Sequence, residues 1–407
     1  MATFEDTSVV ITGLGSVSPY GNGVDLLWNG LLQNKNCIHR VAELEQLSMV
    51  KTKIAATVPE MDFSFIPRRN RRSMSKMACY AYVAAREALA QAGYRQVPEN
   101  LGFFMGSTLN SISVWMNIVS SCNEGHLELV KTSDFLQIMN HSPLATTAQA
   151  LGINGPSLGA SEACATGLYN VALGYLAIKS GLVSQALCGG TEEYHPLFSA
   201  CFDIMQAASF HANDCPDKAS APFDKNRSGL VVAEGCGLLF LESEQSARAR
   251  GATILGRVLS VAANTETENM AYPSEIMIEK CMRRAMERAD LSPEKIDLVN
   301  THATSTIVGD IAESKAVEKL FGSAVKVNSL KGHLGHTMGA SGALELIACV
   351  KMLETGEIIP VKNLRTVDER CGTVQYVTQA RQQPLSVILK NSFAIGGNNC
   401  SLVMRRP

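Results

Sequence analysis

The chain has 407 residues, of which 46% are hydrophobic and 18% are charged, and its formal net charge is −2. This length predicts a large buried core in two domains or one duplicated domain, and the small net charge excludes a global electrostatic attraction to nucleic acid. No run approaches the roughly 18 consecutive apolar residues that a membrane-spanning helix needs, and the start, MATFEDTSVVITG, lacks the features of a secretory signal. We therefore expect a cytoplasmic protein with neither nucleic-acid nor membrane partners.

Strand-like and helix-like segments alternate along the first half, which favours the α/β class. The segment 9–11 is a predicted strand that ends in a glycine turn. A predicted helix covers 72–93, with Ser73 or Ser75 as its N-cap and Gly93 as its stop. Further short buried strands are predicted at 101–105, 186–188 and 237–241.

The second half repeats this alternation, with predicted strands at 254–261, 296–299, 387–389 and 401–404 and predicted helices at 275–289 and 342–353. No linker rich in Pro, Ser or Gly separates the halves, and the best break lies near Arg250 and Gly251. We therefore predict one half from 1 to 250 and a second from 251 to 407.

One of the twelve cysteines differs from the rest in its surroundings. Most are scattered, several in apolar runs, and no Cys-x-x-Cys pair or zinc-ligand spacing occurs, so reduced core thiols and no metal site are expected. Cys164 lies among small residues directly before an apolar helix candidate at 168–178. A thiol at a helix N-terminus has a stabilised thiolate, which predicts a lowered pKa and a nucleophile. A packed structural cysteine is the alternative.

Two histidine loops supply further candidates. His302 follows the predicted strand at 296–299, and a glycine-rich loop around 331–340 contains His333 and His336. A histidine at a strand end is often only a hydrogen-bonded structural residue. A fourth element, the loop after Phe393, has paired glycines that permit exposed backbone N–H donors.

The order of these elements, Cys, His, Lys/His and then Phe-x-x-Gly-Gly, resembles the β-ketoacyl-acyl-carrier-protein synthases, the elongating condensing enzymes of the thiolase superfamily. The resemblance runs from VVITGLGSVSPYGNG to NSFAIGGNN and includes PFDKNRSG at 222–229 and Gly309-Asp310. It implies an α/β thiolase fold, in which two similar halves form five layers in the order α-β-α-β-α.

The resemblance also implies roles for individual residues. Cys164 would carry the acyl group, and His302 and His336 would stabilise the enolate formed when a malonyl thioester loses CO₂. Lys331 and Glu345 would pair to support the site, and the backbone N–H groups of Cys164 and Phe393 would form the oxyanion hole, with Phe393 also gating the acyl pocket. Thr304 and Thr306 would touch the phosphopantetheine arm of an acyl carrier protein, which delivers the substrates, so no separate cofactor is expected. His333 is extra to the motif and is expected to be structural.

The chain departs from the family pattern at three places. Ala303 replaces the glycine after the first histidine, Ala394 replaces the first glycine of the late loop, and the loop at 107–110 lacks the expected extra glycines. A β-carbon at Ala394 restricts backbone freedom, which predicts a narrower swing of the gating loop. These changes leave the chemistry intact and mildly favour a specialised pathway.

A basic stretch stands out in a slightly acidic chain: Arg68, Arg69, Arg71, Arg72 and Lys76. Acyl carrier proteins are acidic, so complementary charge predicts a docking surface here. A solvated basic loop is the alternative, although cations at a helix N-terminus oppose the helix dipole.

Three functional interpretations stay open. The chain is an elongating synthase that forms a homodimer in fatty-acid synthesis, or the catalytic subunit of a type II polyketide or aryl-polyene-like system paired with a homologous chain-length factor. The third is a non-catalytic scaffold like the chain-length factor itself, which the presence of Cys164, His302 and His336 disfavours. A degradative thiolase is also disfavoured, because Cys400 lies beyond the slot for a second reactive cysteine.

Overall fold

A computed structural model of the chain describes residues 7–270 and 272–407. The first six residues, which belong to the segment expected to lack a secretory signal, lie outside the described part. Its strands are β1 (Val9–Ser18), β2 (Gly21–Asn22), β3 (His39–Arg40), β4 (Ile54–Ala55), β5 (Gly102–Gly106), β6 (Ser157–Leu158), β7 (Gln185–Glu192), β8 (Gly235–Ser243), β9 (Gly256–Thr265), β10 (Leu298–Asn300), β11 (Lys326–Asn328), β12 (Glu357–Ile358), β13 (Gln375–Tyr376), β14 (Arg381–Gln382), β15 (Val387–Phe393) and β16 (Asn398–Arg405).

Its α-helices are α1 (Val24–Leu32), α2 (Ala42–Glu45), α3 (Arg68–Arg71), α4 (Lys76–Gln91), α5 (Ile112–Asn123), α6 (Thr132–Ile138), α7 (Ser142–Leu151), α8 (Thr166–Lys179), α9 (Pro196–Ile204), α10 (Glu244–Ala249), α11 (Glu275–Arg288), α12 (Ile307–Phe321), α13 (Lys331–Leu334) and α14 (Ser341–Thr355). Short 3₁₀ turns occur at Leu127–Leu129, Ala163–Ala165, Pro216–Lys218, Pro293–Lys295 and Met338–Ala340. Among the described residues, no helix combines the length and the hydropathy needed to cross a membrane.

The two halves have the same strand topology. In the first half the order is β1-β8-β7-β5-β6, and in the second it is β9-β16-β15-β10-β11, extended by β13. In both orders the first two pairings are antiparallel and the next two are parallel. The sheets are joined by antiparallel pairing of Val9–Ile11 in β1 with 256–258 in β9. The two similar α/β halves expected from the sequence are therefore present.

Helices complete the layers. α8 and α14 are buried between the sheets, and each contacts strands of both halves. α4 and α7 lie outside the first sheet, while α11 and α12 lie outside the second. The result is the α-β-α-β-α arrangement, with a core built mainly from aliphatic side chains of the sheets and of the two central helices. The boundary at 250/251 falls between α10 and β9 and, as a domain boundary, stays a prediction.

Several element bounds differ from the sequence prediction for identifiable reasons. β1 continues through the predicted glycine turn to Ser18, because Gly13 and Gly15 let the strand approach α4 so closely that a Cβ atom would collide with its backbone. The helix predicted from Arg72 begins at Lys76, where the Ser75 hydroxyl accepts a hydrogen bond from the Ala78 amide. The arginines before it form the separate turn α3. Fewer cations therefore lie in the first turn of α4, where positive charge opposes the helix dipole.

Candidate active site

Cys164 lies in the 3₁₀ turn that leads into α8, one turn earlier than the helix itself. The residue before it, Ala163, has a φ of +44°, a left-handed conformation that costs energy for a residue with a side chain. The turn is held by the Thr166 hydroxyl, which accepts a 2.8 Å hydrogen bond from the Glu162 amide. This strained turn holds the buried thiol against the cavity, as a positioned nucleophile requires.

The structure brings Cys164, His302 and His336 together. Their donor atoms, the sulfur and one nitrogen from each ring, all lie within 4.8 Å of one another. His302 follows β10, and His336 follows α13 after Gly335, whose φ is +70°. The two imidazole rings meet edge to face with centroids 5.2 Å apart. Both histidine loops predicted from the sequence therefore converge on the predicted nucleophile.

Burial sets the resting protonation of these groups. It raises the pKa of the Cys164 thiol to about 11, with Lys331 and the N–H groups of Ile395 and Cys164 acting in the opposite direction. The predicted lowering of this pKa by the helix N-terminus is therefore wrong, because desolvation of the thiolate outweighs it. Burial and the positive charge of Lys331 hold the pKa values of His302 and His336 well below 6.5. The resting site holds a neutral thiol and two neutral imidazoles.

A buried charge cluster lies behind the three reactive side chains. Glu345 pairs with Lys331 through one oxygen and with Lys390 through the other, each at 2.5 Å. Burial alone raises the pKa of Glu345, but the two lysines outweigh it and the net shift is downward. With all three charged, these three groups alone carry one net positive charge, and the Glu313 carboxyl lies close enough to interact with both lysines. Lys390 was not identified from the sequence, although a lysine inside the apolar strand VILKNSF is itself a signal.

Glu313 is a second residue that the sequence did not identify. Its carboxylate accepts hydrogen bonds from the amides of His302 at 2.9 Å and Ala303 at 2.7 Å, and from the Asn391 side chain at 3.1 Å. It lies on α12, eleven residues after His302, and fixes the histidine loop. The first turn of α12 contributes Asp310, which pairs with Arg227 of the 222–229 segment at 3.3 Å. Both family-like segments therefore support the same loop.

The backbone amides that reach the Cys164 sulfur belong to Cys164 itself and to Ile395. The structure therefore brings the Ile395 amide to the sulfur, whereas the oxyanion-hole role that the sequence assigned to the Phe393 amide, two residues earlier, stays a prediction. Phe393 ends β15, and its ring lies 6.2 Å from the His302 ring at the wall of the cavity. Its gating role stays a prediction. An amide role cannot be assigned from side-chain type, because it depends on how the loop turns.

A cavity of about 440 Å³ opens onto the three reactive side chains. Thr304 and Thr306 line it and hydrogen-bond to each other at 3.0 Å, which fits the predicted arm contacts without testing them. Exposed apolar residues of the lining mark its mouth: Met205, Met270, Tyr272, Ile307 and Val308. The cavity is therefore apolar at its entrance and reactive at its end.

The remaining predicted residues are placed as follows. His333 is buried away from the cavity, its Nε2 lies 2.9 Å from the Pro360 carbonyl, and burial lowers its pKa to about 4, which fits the structural interpretation. Arg68, Arg69 and Arg72 are exposed and Arg71 is half-buried. Lys76 instead pairs with buried Glu234 at 3.0 Å. The docking prediction therefore depends on the four arginines.

Cys164, His302 and His336 also match a zinc-binding donor set in kind. The net positive charge of the lysine cluster opposes a bound cation, and the expectation of a metal-free site stays a prediction.

A buried thiol at a helix start, beside two neutral imidazoles, is a site suited to nucleophilic acyl transfer. Two family models match the chain: "Beta-ketoacyl synthase, N-terminal domain" over residues 6–247 and "Beta-ketoacyl synthase, C-terminal domain" over 255–365. The chain belongs to the β-ketoacyl synthase family and is a condensing acyltransferase.

Named relatives and solved structures agree with this assignment. The chain is 33% identical to the chloroplastic 3-oxoacyl-[acyl-carrier-protein] synthase I of Arabidopsis thaliana, over 96% of this chain and 85% of the relative. It is 32% identical to 3-oxoacyl-[acyl-carrier-protein] synthase 1 of Escherichia coli K12, over 98% of both chains.

The crystal structure of a β-ketoacyl synthase from Burkholderia phymatum superposes with a TM-score of 0.95 at 33% identity, over 98% of this chain and 100% of that one. The ishigamide ketosynthase/chain length factor superposes with a TM-score of 0.90 at 29% identity, over 98% and 99%. A type II polyketide ketosynthase in complex with its acyl-carrier protein superposes at 0.86 and 27%, over 98% and 100%.

Proposed function

We propose that this chain joins an acyl group carried on Cys164 to a malonyl thioester with loss of CO₂, taking both substrates from an acyl carrier protein. The observation that carries the proposal is the convergence of Cys164, His302 and His336 beside the buried cluster of Lys331, Glu345 and Lys390. The relatives' names and the ketosynthase–carrier complex support the carrier-bound substrates. No cofactor is required.

The first step loads the enzyme. The Cys164 sulfur attacks the acyl thioester carbonyl, so that a new S–C bond forms and the bond to the carrier thiol breaks. The thiol proton passes to a neighbouring imidazole and then to the departing carrier thiolate, which avoids a free thiolate with a pKa near 11. Because the N–H groups of Cys164 and Ile395 reach the sulfur, we assign to them, in place of the Phe393 amide, the stabilisation of the tetrahedral oxyanion.

The second step makes the carbon–carbon bond. The malonyl carboxylate leaves as CO₂, and the electron pair of the broken C–C bond becomes an enolate. His302 and His336 stay neutral at pH 7 because their pKa values are depressed, so each donates one N–H to the enolate oxygen. The enolate carbon then attacks the Cys164 thioester carbonyl, the bond to sulfur breaks, and the thiolate takes a proton from solvent through a neighbouring imidazole to restore the thiol.

Acyl labelling tests whether Cys164 is the nucleophile and distinguishes a catalytic subunit from the alternative of a non-catalytic scaffold. We expect labelled acyl carrier protein to acylate the wild-type chain and not Cys164→Ala, which retains malonyl decarboxylation. His302→Ala and His336→Ala should still be labelled but should lose decarboxylation by about 10²–10³-fold, the usual effect of removing a transition-state donor. A wild-type chain that takes no label is a scaffold, and label on Cys164→Ala contradicts the nucleophile assignment.

The chain is proposed to act beside a second subunit of the same fold. The segment containing α5 and α6 exposes a set of large apolar side chains that would be covered in an assembly: Trp115, Met116, Val119, Leu127, Leu129 and Phe135. β6 ends the sheet with unpaired edge groups, which a matching strand can use. Both features favour a partner that presents an equivalent face.

The identity of that partner distinguishes the two pathways. The departures at Ala303 and Ala394, together with the similarity to a ketosynthase/chain length factor pair, favour a specialised type II system over fatty-acid synthesis. Native mass measurement of the complex purified from its own cells tests this choice. Two copies of one mass support the fatty-acid homodimer, and a second chain of related sequence supports the specialised pair. A cytoplasmic location is the matching expectation, to be checked by fractionation.

A further inference from the structure

The loop that supplies the Ile395 amide connects β15 to β16 through residues 394–397, here called the gate loop. Its turn is closed by hydrogen bonds from the Ala394 amide to the Asn398 carbonyl at 2.9 Å and from the Gly397 amide to the Ala394 carbonyl at 3.0 Å. Gly396 and Gly397 have φ values of +101° and +87°, which glycine adopts without strain. The loop therefore has hinge residues directly after the amide that reaches the sulfur.

Two kinds of contact hold the gate loop. Its backbone pairs with a neighbouring segment, through the Gly396 amide on the Met270 carbonyl at 2.9 Å and the Glu266 amide on the Gly397 carbonyl at 2.8 Å. On another side, the Asn398 side-chain amide donates to the Glu162 carboxylate. The Asn398 side-chain oxygen Oδ1 accepts a hydrogen bond from the Thr265 hydroxyl at 3.4 Å, so both ends of the side-chain amide have partners.

Glu162 belongs to the nucleophile turn. It lies two residues before Cys164, its amide donates to Thr166, and its carbonyl accepts from the Ala165 amide at 2.9 Å. The carboxylate therefore joins the turn that holds the thiol to the loop that holds the second oxyanion donor. A hydrogen bond to an ionised carboxylate is among the stronger ones in proteins, and this one is half-buried.

We propose that Glu162 and Asn398 form a latch that keeps the gate loop closed on Cys164, so that the two act as positioning residues for the Ile395 amide. The inference rests on the proposed function of Cys164. It adds the two residues that determine whether the Ile395 amide stays in its place in the oxyanion hole. Because Ala394 carries a β-carbon, the loop gains its freedom mainly at Gly396 and Gly397, next to the latch. Opening the latch moves Ile395 off the sulfur and exposes the thiol.

The latch predicts two effects of opposite sign in one variant. In Asn398→Ala and in Glu162→Ala, we expect the kcat of acyl transfer to Cys164 to fall by about 10-fold at nearly unchanged KM, less than the roughly 10²–10³-fold loss of a whole oxyanion donor. The rate of Cys164 alkylation by iodoacetamide should rise at least threefold, because the closed loop no longer covers the sulfur. A loss of packing alone would not separate the two rates in this way.

Matched variants complete the test. Glu162→Gln keeps an oxygen that accepts from Asn398 and should stay within threefold of wild type in both rates, while Glu294→Ala changes an exposed carboxylate outside the site and sets the baseline. The double alanine variant should lose no more than either single one. Peptide mass spectrometry assigns alkylation to Cys164.

Unchanged transfer and alkylation in both alanine variants, with a wild type that condenses, would overturn the latch alone. A fall in both rates together would also overturn it. A wild type that binds no acyl group would instead refute the proposed function.

Discussion

The turns before the two central helices are equivalent in structure and different in use. In the first half, Ala163 has a φ of +44°, the 3₁₀ turn Ala163–Ala165 follows, and α8 begins. In the second half, Met338 has a φ of +50°, the turn Met338–Ala340 follows, and α14 begins. Cys164 and Gly339 occupy the same middle position of the two turns.

The difference between these positions shows that the same backbone turn serves catalysis in one half and close packing in the other. Cys164 projects a thiol into the cavity, whereas Gly339 has no side chain and its amide donates to the buried Glu192 carboxylate at 3.0 Å. A Cβ atom at Gly339 would lie 2.8 Å from the Thr108 nitrogen. The second turn thus has no side chain at its middle position, and this lets its backbone pack closely against Thr108 and Glu192 of the first half.

Changing the first turn should have the largest effect. Cys164→Ala removes the sulfur that forms the covalent bond, so we expect no measurable condensation and a melting temperature within a few degrees of wild type. Turnover with an acyl and a malonyl carrier, together with thermal unfolding, measures both. Residual condensation above background would mean that the two turns do not divide their roles as described.

The charge cluster behind the site belongs to the second half and should matter for stability. Glu345→Gln removes the carboxylate that pairs with both buried ammonium groups and leaves Glu313 as the nearby acid, which we expect to cost about 3–5 kcal/mol in the free energy of unfolding. Lys390→Met leaves the neutral pair of Lys331 and Glu345 and should cost clearly less. Denaturant titrations of both variants check the ranking, and an equal or reversed order would contradict the assigned charges.

His333 provides a pH-dependent contrast with the reactive histidines, because it is buried without a role in the chemistry. Its pKa falls from 6.5 in the unfolded chain to about 4 in the fold. The unfolded state therefore binds this proton more tightly, and stability is lost as pH falls from 6.5 towards 4, by about 2 kcal/mol at pH 5.

The variant His333→Gln keeps a donor for the Pro360 carbonyl and cannot be protonated, so its stability should decline less steeply over this range. Unfolding free energies at pH 7 and pH 5 for both proteins provide the measurement. An equal loss of unfolding free energy between pH 7 and pH 5 in both proteins would show that His333 does not cause this pH dependence.

The smallest effect on acyl labelling is expected at the second turn. Gly339→Ala places a Cβ atom 2.8 Å from the Thr108 backbone nitrogen and 3.0 Å from the Glu192 carboxylate, so the backbone at Thr108 must shift, and overpacking of this kind costs about 1–3 kcal/mol. Acyl labelling of Cys164 should persist once the variant is folded, in contrast with Cys164→Ala. Loss of labelling in a folded Gly339→Ala protein would show that the turns are not separable.

The fold and the reactive side chains were predictable from the sequence to a large extent. Cys164, His302 and His336 lie in motifs whose flanking glycines and small residues are local, so their roles follow from short segments. Lys390 and Glu313 are fixed by pairing between distant strands and helices, which spacing does not show. The Ile395 amide depends on the conformation of a glycine turn. The direction of the Cys164 pKa shift depends on burial, which the helix position alone could not indicate.

The buried cluster of Lys331, Glu345 and Lys390 has a consequence for inhibitors. Its two ammonium groups are in place before any ligand arrives and already lower the pKa values of His302 and His336, so the site should favour compounds whose negative charge is spread over an enol or a carboxylate. Ammonium-bearing analogues of the same shape lose affinity in that field. The selectivity of such compounds would be decided by side chains that they never touch.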